Sequence, residues 1–452
     1  MTPSARAGAA IALLGVLEEQ CFGPGARRRP ADAVAADFFR ARRFIGGGDR
    51  RAVAEHAWGV VRQRLRLDWH LARIGMPATP RLLLLAQMLL APNGANGGGE
   101  DHGRGRQAVE AIFDGTHYGP PVLDPAERRA AAALAGRALI DPAMPDGPRF
   151  NLPDWVLPAF RQRFGDALAR EAAALEGEAP VDLRANLLKG DRGRAAAMLA
   201  ADGIGSTPTP LSPWGLRLPA RRPITGSAAY RDGLVEVQDE GSQLIALLAD
   251  ARPGMRVADY CAGAAGKTLA MAASMGNRGK ITACDTSAVR LDGAAKRLKR
   301  AGVDNAERHL LAPGDRWAKR RAGSFDRVLV DAPCTGTGTW RRNPDARLRT
   351  QPADLAELVA VQHDILEKAA ELVRPGGRLI YATCSLLPEE NEGQMDRFLA
   401  RGGARFVPVP VDAVWTALLP GVAVPCAGPW LTLSPAAQGT DGFFCAVLER
   451  AA

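Results

Sequence analysis

RVADYCAGAAGKT, residues 256–268, decides the fold of this chain, because a short apolar run leads through a loop of small residues into a helical stretch. The same alternation recurs downstream, where three more apolar runs are separated by stretches of helical periodicity: KITACD (280–285), FDRVLVD (325–331) and RLIYAT (378–383). Alternating β and α segments predict an α/β fold with a doubly wound sheet, which is covered on both faces and binds ligands at the carboxyl ends of its strands.

The chain is long enough for more than one domain, since 452 residues exceed what a single hydrophobic core usually supports. Residues 1–145 show helical periodicity, with Val53, Ala57 and Val60 spaced along one face of a helix. This segment is therefore expected to form an all-helical domain. The glycine-rich stretch at 93–99 is expected to be a flexible loop within it.

The remainder of the chain divides at a change of composition. The proline-rich stretch 141–150 indicates a boundary, after which brief strand patterns appear beside a short helix. Residues 151–240 are therefore expected to form a small mixed α/β domain. The doubly wound sheet is expected at 241–452, where the strong alternation begins.

The charge and the cysteine content of the chain limit the classes of partner that it is expected to bind. A formal net charge of +9 favours a polyanionic partner such as nucleic acid, although an alanine- and arginine-rich composition also follows from genome composition. The seven cysteines form an odd set without a CxxC pair or a zinc-like histidine spacing, which predicts reduced thiols and no metal site. No stretch approaches the about 20 apolar residues that span a bilayer. We expect a cytoplasmic protein with no membrane partner.

The loop within ADYCAGAAGKT (258–268) is a candidate anion site, because its backbone N–H groups and the dipole of the following helix favour negative charge. A P-loop would need glycine where Cys261 stands, and a dinucleotide fingerprint would need one glycine more than Gly263 and Gly266. Asp285 ends the next strand and is placed to accept hydrogen bonds from a ribose. A carboxylate at the loop and a ribose at Asp285 suit S-adenosylmethionine. The alternative for the loop is a tight turn needed only for packing, and the alternative for Asp285 is a simple cap.

Two cysteines follow the next two strands. Cys334 stands in Asp331-Ala332-Pro333-Cys334, and Cys384 follows the run that ends at Thr383. Adjacent strands would bring both thiols toward one pocket, beside polar groups that can stabilise a thiolate. A buried structural role is the common alternative for a single cysteine. A redox pair is a further alternative, although redox thiols usually form a CxxC motif.

These motifs together resemble the RNA cytosine-C5 methyltransferases of the Sun/Nop type. The resemblance is carried by VQDEGSQ (237–243), CAGAAGKT (261–268), DAPCTGTGTWRRNPD (331–345), YATCSLLPEENE (381–392) and TDGFFCAVL (440–448). It implies a Rossmann-like class I S-adenosylmethionine methyltransferase domain at 241–452. The helical segment is similar to the family's NusB-like RNA-binding module, and 151–240 is similar to its small RNA-recognition-like domain.

The resemblance also implies catalytic roles. Cys384 would be the nucleophile that adds to C6 of a cytosine, and Cys334 would assist elimination of the enzyme thiol. Asp331 would hydrogen-bond the base, and Lys267 would orient the base or its developing charge. DNA cytosine methyltransferases carry Pro-Cys-Gln after the fourth strand, whereas Pro-Cys-Thr stands here beside a second thiol, which favours RNA.

The cofactor implied by the resemblance is S-adenosylmethionine. Its expected contacts are Cys261, Ala262, Gly263, Ala264, Ala265, Gly266, Lys267, Asp285, Arg290, Asp315 and Asp331. Arg290 has the alternative of belonging to a solvated helix face, and Asp315 is the nearest candidate for the acidic residue after the third strand. The family loop reads Ala-Ala-Pro-Gly-Gly-Lys, so that alanine at 265 replaces a residue with free access to positive φ.

RNA, and ribosomal RNA in particular, is the expected partner of a monomeric enzyme. Arg341, Arg342 and Asn343 follow the Cys334 loop and are expected to hold phosphates beside the target base. The base must be unpaired or flipped before C6 can be reached. The alternative function is a non-catalytic RNA-binding ribosome assembly factor, which would have no need of both thiols and Asp331.

Overall fold

The computed structural model describes residues 1–23, 25–91, 105–402 and 405–452. The loop expected at 93–99 lies outside these ranges. The chain forms two compact units, of which one comprises Met1–Glu176 with Asn343–Gln351 and the other comprises Gly177–Arg342 with Pro352–Ala452. The division into three domains stays a prediction.

The described part of the first unit is built from helices. They are α1 (Pro3–Leu17), α2 (Ala31–Ala41), α3 (Gly47–Arg73), α4 (Pro80–Leu89), α5 (Arg106–Glu110), α6 (Pro125–Leu134), α7 (Asp146–Phe150), α8 (Leu157–Phe164) and α9 (Leu168–Glu176). The apolar face expected from the sequence is present in α3, where Val53, Ala57 and Val60 are buried. These side chains join Leu13 and Leu84 in one continuous core, so that amphipathic helices surround a shared apolar centre.

A small antiparallel sheet opens the second unit. Its elements are β1 (Asp182–Ala185), α10 (Arg192–Ala201), β2 (Thr207–Pro208), β3 (Gly215–Arg217), α11 (Ala228–Arg231) and β4 (Val235–Val237). The strands lie in the order β2-β3-β1-β4. Leu183, Leu216 and Val235 on the sheet pack with Leu199 of α10, which gives this part of the unit an apolar core of its own.

A large sheet follows. Its elements are α12 (Glu240–Leu248), β5 (Arg256–Asp259), α13 (Gly266–Ser274), β6 (Lys280–Asp285), α14 (Ala288–Ala301), β7 (Ala306–Leu310), α15 (Trp317–Arg320), β8 (Phe325–Asp331), α17 (Pro352–Ala370), β9 (Val373–Thr383), α18 (Glu392–Gly402), β10 (Phe406–Val409), α19 (Val411–Leu418), β11 (Leu431–Leu433), α20 (Pro435–Gln438) and β12 (Phe443–Arg450). Helix α16 (Ala346–Arg349) lies within the segment assigned to the first unit.

The large sheet confirms the predicted doubly wound fold. Its order is β10-β12-β9-β8-β5-β6-β7, with β5 to β9 parallel and β12 antiparallel to β9. Successive strand residues alternate between two buried faces: Val328 and Val330 belong to one core, whereas Leu329 belongs to the other. The order reverses between β5 and β8, which is where ligands bind in such sheets. Within the described residues, no helix is long and apolar enough to cross a membrane.

Two glycines hold the loop after β8 against the start of β12. The N–H of Gly442 donates to the carbonyl of Gly338 at 2.9 Å, and the N–H of Gly338 donates to the carbonyl of Cys384 at 3.0 Å. A Cβ added at Gly442 would lie 2.7 Å from the Cα of Gly338. Only glycine permits this approach, which connects the ends of three strands beside both cysteines.

Replacement of Gly442 by alanine is expected to lower the free energy of unfolding by about 1–3 kcal/mol, because the added methyl group overpacks this backbone contact. Urea unfolding followed by circular dichroism measures the change. Gly293→Ala is the control, since Gly293 is exposed within α14 and an added Cβ meets nothing within 4 Å. The control should gain up to about 1 kcal/mol of helix propensity. Equal stabilities of Gly442→Ala and the wild type would refute the constraint.

Candidate active site and cofactor pocket

The loop between β5 and α13 ends in a strained residue. Ala265 has φ 61° and ψ 29°, the left-handed conformation, which costs about 1–2 kcal/mol for a residue with a Cβ. Its side chain is fully buried against Leu269 and Leu298, and its N–H donates to the carbonyl of Ala262 at 2.8 Å. The backbone therefore takes a left-handed turn into α13 although this position carries alanine and not glycine.

A cavity of about 1220 Å³ borders this loop at the carboxyl edge of the sheet. All of the predicted cofactor residues except Ala265 line it: Cys261, Ala262, Gly263, Ala264, Gly266, Lys267, Asp285, Arg290, Asp315 and Asp331. Ala265 is fully buried and is not among the lining residues, and its contact with the cofactor stays a prediction. Pro333 and Ile365 close the other side of the cavity.

Asp285 is fixed at the end of β6. Its carboxylate accepts the N–H of Gly263 at 2.8 Å and the N–H of Ser287 at 2.7 Å, and the side chain is buried. The N-cap of α14 is Ser287, so Asp285 does not take the alternative role of a helix cap; it orders the turn before α14, and it also lines the cavity. Each carboxylate oxygen accepts more than one hydrogen bond, so both uses are compatible.

Asp259 at the end of β5 is a cavity residue that the sequence analysis missed. One carboxylate oxygen accepts from the Thr268 hydroxyl at 2.6 Å, whereas the other is buried and has no hydrogen-bond partner in the described structure. Burial raises the pKa of Asp259 to about 6; the Thr268 hydrogen bond opposes this shift and the charge of Asp331 adds to it. The sequence pattern that could have identified Asp259 is an acidic residue at the end of the strand that precedes the loop.

Asp315 lies after β7, as the sequence analysis expected. Its carboxylate contacts Nε2 of His309 at 2.5 Å and accepts the N–H of Trp317 at 2.8 Å. These two hydrogen bonds, the one to His309 foremost, lower the pKa of Asp315 below its ordinary value. The His309 and Trp317 rings stack at 5.0 Å, which holds the carboxylate at the cavity wall. Its contact with the cofactor stays a prediction.

The two cysteines meet at the ends of β8 and β9. Parallel pairing places Asp331 opposite Ala382, and the two thiols that follow lie 3.4 Å apart between sulfur atoms. The hydrogen bond with Cys384, and then burial, raises the pKa of Cys334 well above its ordinary value. Cys334 therefore retains its proton at neutral pH and can donate it toward the sulfur of Cys384.

An ion pair lies beside the thiols. The Nζ atom of Lys267 donates to the Asp331 carboxylate at 2.6 Å. Burial alone would lower the pKa of Lys267, but the charge of Asp331 and this hydrogen bond outweigh burial and raise the pKa. Lys267 is therefore charged at neutral pH, and the Asp331 side chain keeps 34% of its surface exposed where it borders the cavity. An exposed carboxylate remains available to a ligand.

Glu390 fixes the loop that carries Cys334, and the sequence analysis did not identify it. This fully buried carboxylate accepts the Thr335 N–H at 2.8 Å, the Thr335 hydroxyl at 2.5 Å and the Gln362 side-chain amide at 2.9 Å. Gln362 also donates to the carbonyl of Pro333 at 2.9 Å. Both neighbours of Cys334 in the chain are therefore held by one network. A glutamate shortly after the second cysteine was the only sequence signal.

The arginines predicted to hold RNA phosphates are engaged inside the protein. Arg341 is buried and donates to Asp441 at 2.7 Å, and Arg342 donates to Asp441 and to Asp239, the latter at 2.8 Å. These ion pairs give both guanidinium groups a structural role between the Cys334 loop, the start of α12 and the start of β12. Asn343 is exposed, and its contact with RNA stays a prediction.

The strand order, the small-residue loop at the switch point and the buried acid ending the next strand define a Rossmann-like S-adenosylmethionine-dependent methyltransferase. The residues present fit this cofactor. Gly266 and Lys267 at the N-terminus of α13 line the cavity, where the helix favours the cofactor carboxylate. Asp285 offers acceptors to its ribose, and the unpartnered oxygen of Asp259 offers an acceptor to its ammonium group.

Comparison with known proteins agrees with this class. A family model described as 16S rRNA methyltransferase RsmB/F matches residues 246–449, and a model of an RsmF/B-like ferredoxin-like domain matches residues 152–225. The chain is 31% identical over 446 residues to the probable ribosomal RNA small subunit methyltransferase B of Synechocystis sp., covering 94% of this chain and 96% of that protein. It therefore belongs to the 16S rRNA methyltransferase RsmB/F family.

Two further comparisons support the assignment. The chain is 35% identical over 301 residues to ribosomal RNA small subunit methyltransferase B of Xylella fastidiosa, covering 66% of this chain and 68% of that protein. A crystal structure of a methyltransferase homolog protein from Pyrococcus horikoshii matches with a TM-score of 0.58 and 28% identity, covering 69% of this chain and 99% of its own. The cofactor of this methyltransferase is S-adenosylmethionine.

Glu390→Gln is expected to lower the turnover number of methyl transfer at least about tenfold, because the amide N–H₂ of glutamine cannot accept all three donors that surround the carboxylate. The affinity for S-adenosylmethionine should remain near that of the wild type, since Glu390 does not line the cavity. Steady-state kinetics and calorimetric titration separate the two quantities. The neighbouring, exposed Glu389→Gln is the control, and equal turnover of the two variants would remove Glu390 from its positioning role.

Asp259→Asn is expected to change how stability depends on pH. The folded-state pKa of about 6 exceeds the ordinary value of 3.8, so folded protein binds more protons than unfolded protein within this window. Wild type should therefore lose stability relative to the variant as pH rises from about 4 to 6, by about 1–3 kcal/mol. Urea unfolding at several pH values measures the difference. A difference that stays constant across the window would contradict the raised pKa.

Proposed function

We propose that this chain is an S-adenosylmethionine-dependent RNA (cytosine-C5) methyltransferase that acts on ribosomal RNA through a covalent bond between Cys384 and C6 of the base. The observation that carries the proposal is the pair of thiols 3.4 Å apart beside the Lys267–Asp331 ion pair, at the edge of a cavity that fits the cofactor. A structural role would require neither a second thiol nor a buried lysine at this edge.

The nucleophile in this proposal is the thiolate of Cys384. It forms a bond to C6 of the cytosine, and the ring electrons then make C5 nucleophilic. Asp331 hydrogen-bonds the base through a proton held between its carboxyl group and the ring nitrogen N3, and the charge of Lys267 stabilises the electron density that develops on the ring. When bound, S-adenosylmethionine supplies the methyl group that C5 accepts.

Cys334 serves the final step. A water molecule accepts the proton of C5, the electron pair of that C–H bond re-forms the double bond between C5 and C6, and the bond between C6 and the sulfur of Cys384 breaks. Cys334 assists by donating its proton to the departing thiolate, and it then regains a proton from solvent. The raised pKa of Cys334 supports this division of roles, because its proton is retained at neutral pH while Cys384 reacts. Glu390 contributes by holding the chain on both sides of Cys334 through Thr335 and Gln362.

Ribosomal RNA is proposed as the substrate because the relatives in this family are named ribosomal RNA methyltransferases, and the net charge of +9 suits a polyanion. The target base must be unpaired or flipped, since a stacked cytosine conceals C6. We further propose that the enzyme acts as a monomer in the cytoplasm.

Transfer of label from S-adenosylmethionine to unmodified ribosomal RNA tests the proposal. Wild type should yield 5-methylcytidine on nucleoside analysis by mass spectrometry, and Cys384→Ala should lose at least about 10³-fold in rate because no covalent bond to C6 can form. Cys334→Ala should accumulate a protein–RNA adduct that survives a denaturing gel, since the enzyme thiol departs slowly.

Cys445→Ala provides the matched control, because Cys445 is a fully buried thiol in β12 of the same sheet, whereas Cys334 and Cys384 are partly exposed. It should methylate RNA at the wild-type rate and form no adduct. Continued methylation by Cys384→Ala would show that the nucleophile is misassigned. Binding of RNA by wild type without methylation of any ribosomal RNA would favour the assembly-factor function.

A further inference from the structure

Two arginines hold the cofactor loop by its backbone carbonyl groups. Arg297 of α14 donates to the carbonyl of Ala264 at 2.6 Å, and Arg184 of β1 donates to the carbonyl of Gly266 at 3.1 Å. These carbonyls belong to the residues on either side of Ala265, the alanine in the left-handed conformation. The strained residue is therefore bracketed by two charged hydrogen bonds.

Glu236 joins the two arginines. It lies opposite Arg184 in the pairing of β1 with β4, and its carboxylate accepts from Arg297 at 3.2 Å and from Arg300. Arg184 and Glu236 are each 2% exposed, so their charges depend on one another for stabilisation. Burial lowers the pKa of Arg184 to about 10, which still leaves its guanidinium charged at neutral pH.

The hydrogen bonds of these arginines extend to residues that line the cavity. Arg184 also donates to the side-chain oxygen of Gln238 at 2.9 Å, and Gln238 and Arg297 both line the cavity. A Cβ added at Gly266 would have the side-chain nitrogens of Gln238 and Arg297 as its nearest neighbours, at 3.7 and 3.9 Å. Residues of the small sheet thus surround the start of α13.

Holding a carbonyl also fixes the direction of the next N–H group. The N–H of a trans peptide points opposite to the carbonyl of the preceding residue. Arg297 therefore supports the turn in which the N–H of Ala265 donates to the carbonyl of Ala262, and Arg184 orients the N–H of Lys267. A residue in a strained conformation persists only where its surroundings determine it. Here the surroundings are supplied by the sheet of β1 to β4 and by α14.

We propose that Arg184, Glu236 and Arg297 are positioning residues that hold the loop 264–266 in its ligand-binding shape before the cofactor arrives. The small sheet thereby sets the affinity for S-adenosylmethionine, in addition to any contact it makes with RNA. The inference rests on the assignment of this loop to the cofactor in the proposed function. It explains how alanine is accommodated at 265, where the related loops carry glycine.

Calorimetric titration of S-adenosylmethionine into the full-length, cofactor-free chain tests the inference without RNA. Arg297→Met should raise the dissociation constant about tenfold, which corresponds to about 1.4 kcal/mol. Arg184→Met should do the same, and Arg297→Lys should recover most of the affinity because an ammonium group can still donate to the loop. The KM for the cofactor should rise in proportion, whereas kcat at saturating cofactor should change less than about twofold.

Arg300→Met is the matched control, since Arg300 lies on the same helix and pairs with the same Glu236 but has no hydrogen bond to the loop. Its dissociation constant should stay within about twofold of the wild type. Hydrogen exchange of the cofactor-free protein adds a second readout: amides 265–267 should exchange faster in Arg297→Met than in Arg300→Met. Arg184→Lys replaces Arg184→Met if the latter does not fold.

Equal weakening by Arg297→Met and Arg300→Met would overturn the inference, because the effect would then reflect general destabilisation. Wild-type affinity in both Arg297→Met and Arg184→Met would overturn it as well. A wild type that binds no S-adenosylmethionine would instead contradict the assignment of the loop, and the proposed function with it. Failure of the two proposals is therefore distinguishable.

Discussion

The site depends on the parallel pairing of β8 with β9. Because side chains that follow parallel strands emerge at one edge of the sheet, pairing Asp331 with Ala382 brings together two cysteines that are 50 residues apart in the chain. The contact between Gly338 and Gly442 then connects this edge to β12. Backbone pairing thus places the two thiols next to each other, 3.4 Å apart between sulfur atoms.

Buried charges do the remaining positioning. Glu390 holds the Cys334 loop, Glu236 holds the arginines around the cofactor loop, and Asp441 holds the pair Arg341 and Arg342. A charge that loses its partner inside a protein costs about 3–5 kcal/mol, so each of these contacts strongly favours one arrangement of its loop. Catalytic and cofactor loops without regular structure are thereby kept in place by electrostatics.

The sequence identified candidate residues that stand in recognisable local motifs. It missed residues whose role depends on partners that are distant in the chain. The doubly wound sheet, Asp285 and the two thiols were predictable, because apolar runs and strand ends are local features. Asp259 and Glu390 were missed, since a carboxylate shows its burial and partners only in the folded protein. The sequence displays the positive charge of Arg341 and Arg342 without showing Asp239 and Asp441, which pair with it; their contact with RNA stays a prediction.

The sequence by itself determined the order of strands and helices, the positions of the motifs at strand ends and the family to which they are similar, because hydrophobic periodicity and loop spacing are encoded over short distances. Only the tertiary structure decided that Ala265 adopts a left-handed conformation and that Arg184 and Arg297 reach the carbonyls beside it. Such contacts join residues separated by 82 and 33 positions. Their geometry arises from packing of whole elements, which no local pattern specifies.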